Sequence, residues 1–458
     1  MGKRQIVDSG LIIFIILIVT QLPGCSTDSA YSSLVYPKGK GTESNPFHVT
    51  SVHQLQAIDV PEHLNMHYIQ MGDIDASESH EFQNGSGWKE IGTRETPFTG
   101  SYNGNGYVIR DLKLHEQRGG PSRGVWGYVK NARIENVFVD NSDQVLRKSL
   151  DDHYLFGSDD HYLFGSNEQS IVSKTSISAE IDLSEVVGIG GLVGFNDGGE
   201  IINCRFHGRV GAYGTPAGLV GVNTGLIENS HFKGSTSGFG GVGFSGINTG
   251  KIIDSSAEIR SGGMSAHGFV ILNYGEIIRS SAQVDLNPSF FSAGLVSNNY
   301  GGRIESSFVT GEVRSRRSAA GFVINNSGVI ENSYSNVNVS INYLDGDNFS
   351  VSGFVFENSE EGEIENSYAT GTVIATGAEA ELSAVIKTNN GSVKSVYWDM
   401  DSIGYEAAVF EGSSAGITGL TTDQITGTSA RQFMPEFDWD TVWRTTVNYP
   451  VLRWQQEK

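Results

Sequence analysis

Cysteine appears twice in 458 residues, proline ten times, and charged side chains make up only 18% of the chain. Cys25 and Cys204 can form one disulfide at most, which excludes a disulfide-stapled scaffold. Ten prolines exclude a proline-rich linker or stalk. The apolar run Leu11–Val19 has nine residues, short of the roughly 20 that cross a bilayer. Positive charge is scarce as well: 31 Lys and Arg face 52 Asp and Glu, a formal charge of −21. Such a surface argues against nucleic acid and against electrostatic docking on anionic lipid heads. Catalytic signatures are missing too. The chain has no His-Glu-x-x-His, Gly-x-Ser-x-Gly, phosphate-binding glycine loop or EF-hand loop. The expectation is therefore a protein without enzyme activity and without a firm cofactor.

Residues 1–24 read as a targeting segment. Lys3 and Arg4 precede the apolar run, and Leu22-Pro23-Gly24-Cys25 follows it. The Leu-x-Gly-Cys pattern resembles the lipobox of bacterial lipoproteins. That resemblance implies cleavage before Cys25 and its acylation, palmitate included. Ser26 in place of Asp implies sorting to the outer membrane or cell surface. Several acyl chains on one cysteine anchor stably where a single chain does not, and Cys204 is then left without a disulfide partner.

Glycine is plentiful, at 58 residues, and it is periodic. Gly-x-Ile (Val in the last copy) recurs with glycines at 199, 225, 250, 275, 302, 328, 362 and 391. Before each stands a small residue and an apolar pair, as in Gly191-Leu-Val, Gly218-Leu-Val and Gly321-Phe-Val, with Ala384 in the eighth copy. Asn follows five residues later, at 196, 223, 248, 273, 299, 326, 358 and 389. One unit thus reads as a short strand, an Asn-x-Gly turn, a second strand and a variable return. Units of about 25 residues cannot bury a core alone, but stacking them about 4.8 Å apart closes every ladder between coils. The expected fold is all-β: a right-handed parallel β-helix of about ten coils, roughly 50 Å long. A β-propeller blade needs about 40 residues, so the period excludes it.

The columns predict further detail. Three residues after each Ile stand Cys204, Ser230, Ser255, Ser280, Ser307, Ser333 and Ser367. That makes Cys204 a packing residue in a small shielded slot. Two after the Ile, Asn203, Asn229, Asn332 and Asn366 predict a partial amide ladder at a bend. In the same column Asp254 and Arg279 predict a cross-coil ion pair.

The run G-L-V-G-x-N-x-G-x-I-x-N-S is similar to the GLUG motif repeats of bacterial surface proteins and large adhesins. The same repeats precede the protease domain of some IgA-cleaving metallopeptidases. The resemblance covers about residues 188–400 and implies a surface β-helix, not an activity. The zinc-protease motif of those relatives is absent here.

The expected organisation is a lipoprotein signal peptide (1–24), a tether (25–43), and an N-terminal cap with lead-in coils (44–140). An insertion loop (141–187), the β-helix repeats (188–400) and a closing segment (401–458) complete it. Thr50-Ser51 before Val52, Leu55 and Ile58 predicts a short capped helix at the N-terminal end. Thr421 to Ile425 predicts another helical turn, and the tail with Trp439, Trp443 and Trp454 is expected to seal the C-terminal end. Within the insertion, Asp151 to Ser158 is repeated as residues 159–166. It reads as slippage in a permissive loop, with metal binding by its Asp-Asp-His triplets as the alternative.

Two groups are candidate binding residues. Arg314, Arg316 and Arg317 form the densest basic cluster and are expected on a loop between coils, where they could grip an anionic polysaccharide. Glu305, Glu331 and Glu365 share a column; stacked like charges are destabilising, so weak Ca²⁺ bridging is one way to hold them. The expected role is a lipid-anchored, adhesin-like or scaffold protein on the bacterial outer membrane or cell surface. It would meet a glycan, matrix or protein ligand and no nucleic acid. The alternative is a lipid-anchored carbohydrate-active enzyme, a polysaccharide lyase or hydrolase on a β-helix.

Overall fold

The computed structural model describes residues 35–114, 122–141, 183, 186, 188–212, 214–342, 349–376 and 380–456. Cys25 and the duplication at 151–166 lie outside them.

One repeat shows how the sequence makes a coil. Val220–Asn223 is the first strand, Leu226–Glu228 the second and His231–Ser237 the third. Between the second and third, Asn229 turns the chain at φ 45°, a left-handed conformation that a short polar side chain tolerates. Asn136, Asn203, Asp254, Arg279, Ser306, Asn332, Asn366 and Ser395 make the same turn in their own coils.

Each coil pairs in parallel with the next, for example Ile227 with Ile252 and Phe206 with Phe232. Ten first strands, from Trp126–Lys130 to Val409–Gly412, form one continuous sheet, the first face. A 27-stranded sheet carries the second and third faces. The fold is a parallel β-helix. Its stack runs past residue 400, because Val409 pairs with Ile386 and Ile417 pairs with Val396.

The interior repeats with the coil. Ile134, Ile201, Ile227, Ile252, Ile277, Ile304, Ile330 and Ile364 are all fully buried, each contributing roughly 1.5–3 kcal/mol. The glycine before each Leu-Val or Phe-Val is required by close approach. A Cβ on Gly268 would lie 1.7 Å from the Gly294 carbonyl oxygen of the next coil.

Two buried polar columns run through the repeat coils. Asn196 donates through Nδ2 to Asn223 Oδ1 at 2.8 Å, and the same bond continues through Asn248, Asn273, Asn299, Asn326 and Asn358 to Asn389. This continuous ladder belongs to the Asn of the Asn-x-Gly turn. The bend column carries the partial ladder expected of it, Asn203 to Asn136 and Asn229 to Asn203; its shared property is the left-handed backbone. In the second column each Ser hydroxyl donates to the carbonyl two residues back and accepts an N–H from the preceding coil. Ser255 Oγ, for instance, donates to Ile253 O at 2.8 Å and accepts from Ser230 N at 3.1 Å. Cys204 occupies this column fully buried, and burial pushes its thiol up to about 12.

The N-terminal helix is present as Val52–Gln56, with Ser51 Oγ accepting from Gln54 N and Val52 and Leu55 buried. Thr421 caps the helix Thr422–Ile425 through a reciprocal bond with Gln424. The aromatic tail does not sit where expected. Instead of sealing the C-terminal end, it lies along the outside of the third face, over Phe308, Tyr334, Tyr368 and Tyr397. Trp443 is fully buried, 5.6 Å from the Tyr368 ring and stacked at 4.6 Å on Phe437. Trp454 reaches back to donate to Ser306 O at 2.8 Å. The last coil is closed by Met400–Ile403, with Ile403 and Ala408 in the main core.

A third apolar strip lies outside the first face, where Tyr128, Phe195, Val222 and Ile247 are buried with Leu183 and Val186 against them. Arg94 donates to the carbonyls of Leu183 and Val186 and lies over the Tyr128 and Phe195 rings.

Candidate binding face

The third strand of each coil alternates inward and outward, so every second residue shows a side chain to solvent. Register then gathers distant residues into columns. Arg209 pairs with Ser235, Ser235 with Arg260, and Arg260 with Asp285. Two residues on, Gly211, Ser237, Gly262, Asn287 and Arg314 form the neighbouring column. Between these columns lies a shallow groove of 370 Å³, lined by Arg209, Ser235, Ser237, Arg260, Asn287 and Arg314, among others. Asp285 is the single carboxylate among its lining residues.

The charges in the groove are loosely held. Arg260 Nε lies 3.5 Å from Asp285 Oδ2, with 84% of the arginine side chain exposed. An exposed pair of this kind contributes roughly 0–1 kcal/mol, little enough for an incoming anion to replace it. Arg209 donates to Ser237 Oγ at 3.1 Å. Arg314 is the tighter member, bonded to both Asp285 and Glu312. Asp285 also pairs in register with Glu312 at the end of the column, and Arg314 bonds both carboxylates.

The basic cluster read from sequence is thus divided. Arg314 lies in the strand Phe308–Ser315, not on a loop between coils. Arg316 and Arg317 are exposed at the corner before Ser318–Ala320, within the same coil. Arg317 lies over the Phe290 ring, 4.8 Å from its centroid. Sequence reasoning missed Arg209 and Arg260, which stand 51 residues apart and meet only through register. The signal was present as alternate polar positions after each left-handed turn.

Glu305, Glu331 and Glu365 do pair in register on the second face. Cations meet them there: Arg303 bonds both Glu305 and Glu331, and Lys394 lies 3.9 Å from Glu365. These ion pairs offset the like charges of the stack. Among the described residues, no group of three or more His, Cys, Asp or Glu is placed to hold a metal ion. Asp254 and Arg279 form the expected cross-coil pair, bidentate at 2.9 and 2.7 Å.

Residues 186–211, which include the three strands of one coil, match the GLUG motif. The β-helix carries a GLUG repeat. Over 116 residues the chain is 34% identical to halomucin of Haloquadratum walsbyi. That stretch is 23% of this chain and 1% of halomucin, so the chain spans a very small part of that protein. The chain also overlays the crystal structure of a "putative immunoglobulin A1 protease" from Bacteroides ovatus, covering 94% of this chain and 98% of that one. Identity there is 17% and the TM-score 0.34, and no activity is carried over from it.

Proposed function

We propose that this is a cell-surface, adhesin-like or scaffold protein whose third-face groove binds an extended ligand. The GLUG repeat and the partial likeness to halomucin support the surface reading. The observation that carries the binding reading is the groove itself. It is open along the axis, floored by Ser, Asn and Gly, and edged by Arg209, Arg260 and Arg314 in a chain of net charge −21. A flat polar floor offers donors and acceptors to a hydroxyl-rich or peptide-like polymer. Its lining carboxylate Asp285 and the neighbouring Glu312 are both engaged by arginine, which fits binding better than hydrolysis.

Attachment at Cys25 is part of the same proposal, with acyl chains holding the solenoid at the membrane. Metabolic labelling with palmitate should tag the wild-type chain and not Cys25→Ser. Equal labelling of both would remove the anchor from the account. For the groove, a glycan-array screen followed by product analysis of each hit is the direct test. Binding that leaves the glycan intact supports a binding protein, whereas shortened or unsaturated products would replace it with an enzyme.

A further inference from the structure

The spacing of the groove's arginines carries the ligand class further, and this step rests on the groove being a binding site. Arg209 and Arg260 lie in one column with Ser235 between them. Two strand spacings therefore separate them, about 9.6 Å along the solenoid axis. Two sugar units of an extended pyranose chain cover a comparable length. The interval between them is neutral and hydroxylated, with Ser235 and Ser237 on the floor.

Apolar side chains stand a little further along each of these coils. Gly240, Ser265, Phe291 and Ser318 pair in register across four coils. The residues just before them are Phe239, Met264, Phe290 and Arg317. Met264 is exposed, and Phe290 is half-buried beneath Arg317. Phe239, Met264 and Phe290 stand two or three residues after Ser237, Gly262 and Asn287, outside the residues that line the groove. Flat apolar side chains beside cations suit the C–H faces of sugar rings that also carry acid groups, since the body of the ring is apolar and its substituents are polar.

We propose that the third-face groove takes a linear anionic polysaccharide laid along the solenoid axis, with acid groups on alternate sugars meeting Arg209 and Arg260. Arg260 exchanges its weak contact with Asp285 for the ligand's carboxylate or sulfate. The Ser and Asn side chains hydrogen-bond the intervening hydroxyls, and Phe239, Met264 and Phe290 stand further out on the flank. Nearly all the attraction to such a polymer comes from arginines whose ionic contacts are salt-sensitive.

The test is equilibrium binding of the full chain to four probes at several salt concentrations. These are heparin (sulfated), polygalacturonate (carboxylated), dextran (neutral) and poly-glutamate (anionic but not a sugar). Heparin or polygalacturonate should bind, and which of them binds tells sulfate from carboxylate. R209S and R260S should each weaken that binding at least fivefold and flatten its salt dependence, with unchanged melting. R110S, an exposed arginine pairing with Asp73 and Asp140 away from the groove, should change neither. Should R209S lower the melting temperature, R260S, with its exposed side chain, carries the test alone. S235W, which fills the groove floor, separates the two levels of the argument. Dextran binding that S235W blocks and R260S leaves untouched would overturn the anionic class while keeping the groove. Poly-glutamate binding as tightly as the polysaccharides would overturn it likewise. If no probe and no array glycan shows binding that S235W abolishes, the groove reading falls with it.

Discussion

The third face has two halves built on one plan and finished differently. Four residues after each core Ile, the outward position reads Arg205, His231, Ser256 and Ser281 in the earlier coils, then Phe308, Tyr334, Tyr368 and Tyr397 in the later ones. The aromatic half stacks ring on ring, Phe308 to Tyr334 at 5.0 Å and Tyr334 to Tyr368 at 4.9 Å, and the closing segment covers it. The polar half stays bare and holds the groove, which reaches into the first aromatic coil at Arg314. Inside, both halves share the same Ile, Asn and Ser columns. Coil interiors therefore specify the solenoid, and outward positions decide what each stretch of it meets.

Removing the cover should have the largest effect. Trp443→Ala deletes the buried centre of the closing segment, at a cost of about 3–5 kcal/mol to its docking. Hydrogen exchange should show residues 420–456 losing protection while the strands of the bare half keep theirs. A uniform loss across both halves would mean that the tail holds up the whole stack. Next come Asn223→Ala in the bare half and Asn358→Ala in the covered half. Each breaks the amide ladder on both sides and should cost roughly 2–4 kcal/mol. Urea unfolding should give similar losses for the two, and a large difference would deny that the interior is shared.

A smaller effect belongs to the bare half alone. His267 is buried with Nδ1 unpartnered, and burial pushes its pKa down to about 4 from an ordinary 6.5. The unfolded chain therefore takes up this proton first. The neutral ring's contribution is whole above pH 6.5 and is lost progressively as pH falls toward 4. Urea midpoints at pH 7 and pH 4.5 should fall further apart for the wild type than for His267→Leu, and equal falls would remove His267 as the cause. The smallest stability effect should come from Arg260→Ser, under about 0.5 kcal/mol, even though it weakens ligand binding. A melting shift of several degrees would make Arg260 structural.

Much of this was legible in the sequence because it depends on local, repeated residues. The period follows from Gly-x-Ile, Cys204 fell into the serine column, and Ser51 and Thr421 marked helix starts by their own side chains. The partial ladder at the bend was legible in its Asn residues, but the continuous one was not, because Asn serves two purposes. One Asn is buried and bonds along the stack; the other supplies a left-handed backbone. The groove was half legible: Arg314 stood in a visible cluster, but Arg209 and Arg260 join it only through the register of separate coils. The tail was sent to the end of the stack although the Phe308, Tyr334, Tyr368 and Tyr397 column was already visible in the spacing. Its meaning appears only once those rings are seen to face outward.

The most direct measurement is a hydrogen-exchange footprint of the protein with a glycan-array hit bound. The account predicts added protection on strands 205–211, 231–237, 256–267 and 281–293, with little change on the closing segment or the second face. Protection confined to residues 420–456, or to the Glu305, Glu331 and Glu365 column, would contradict it and move the binding surface elsewhere.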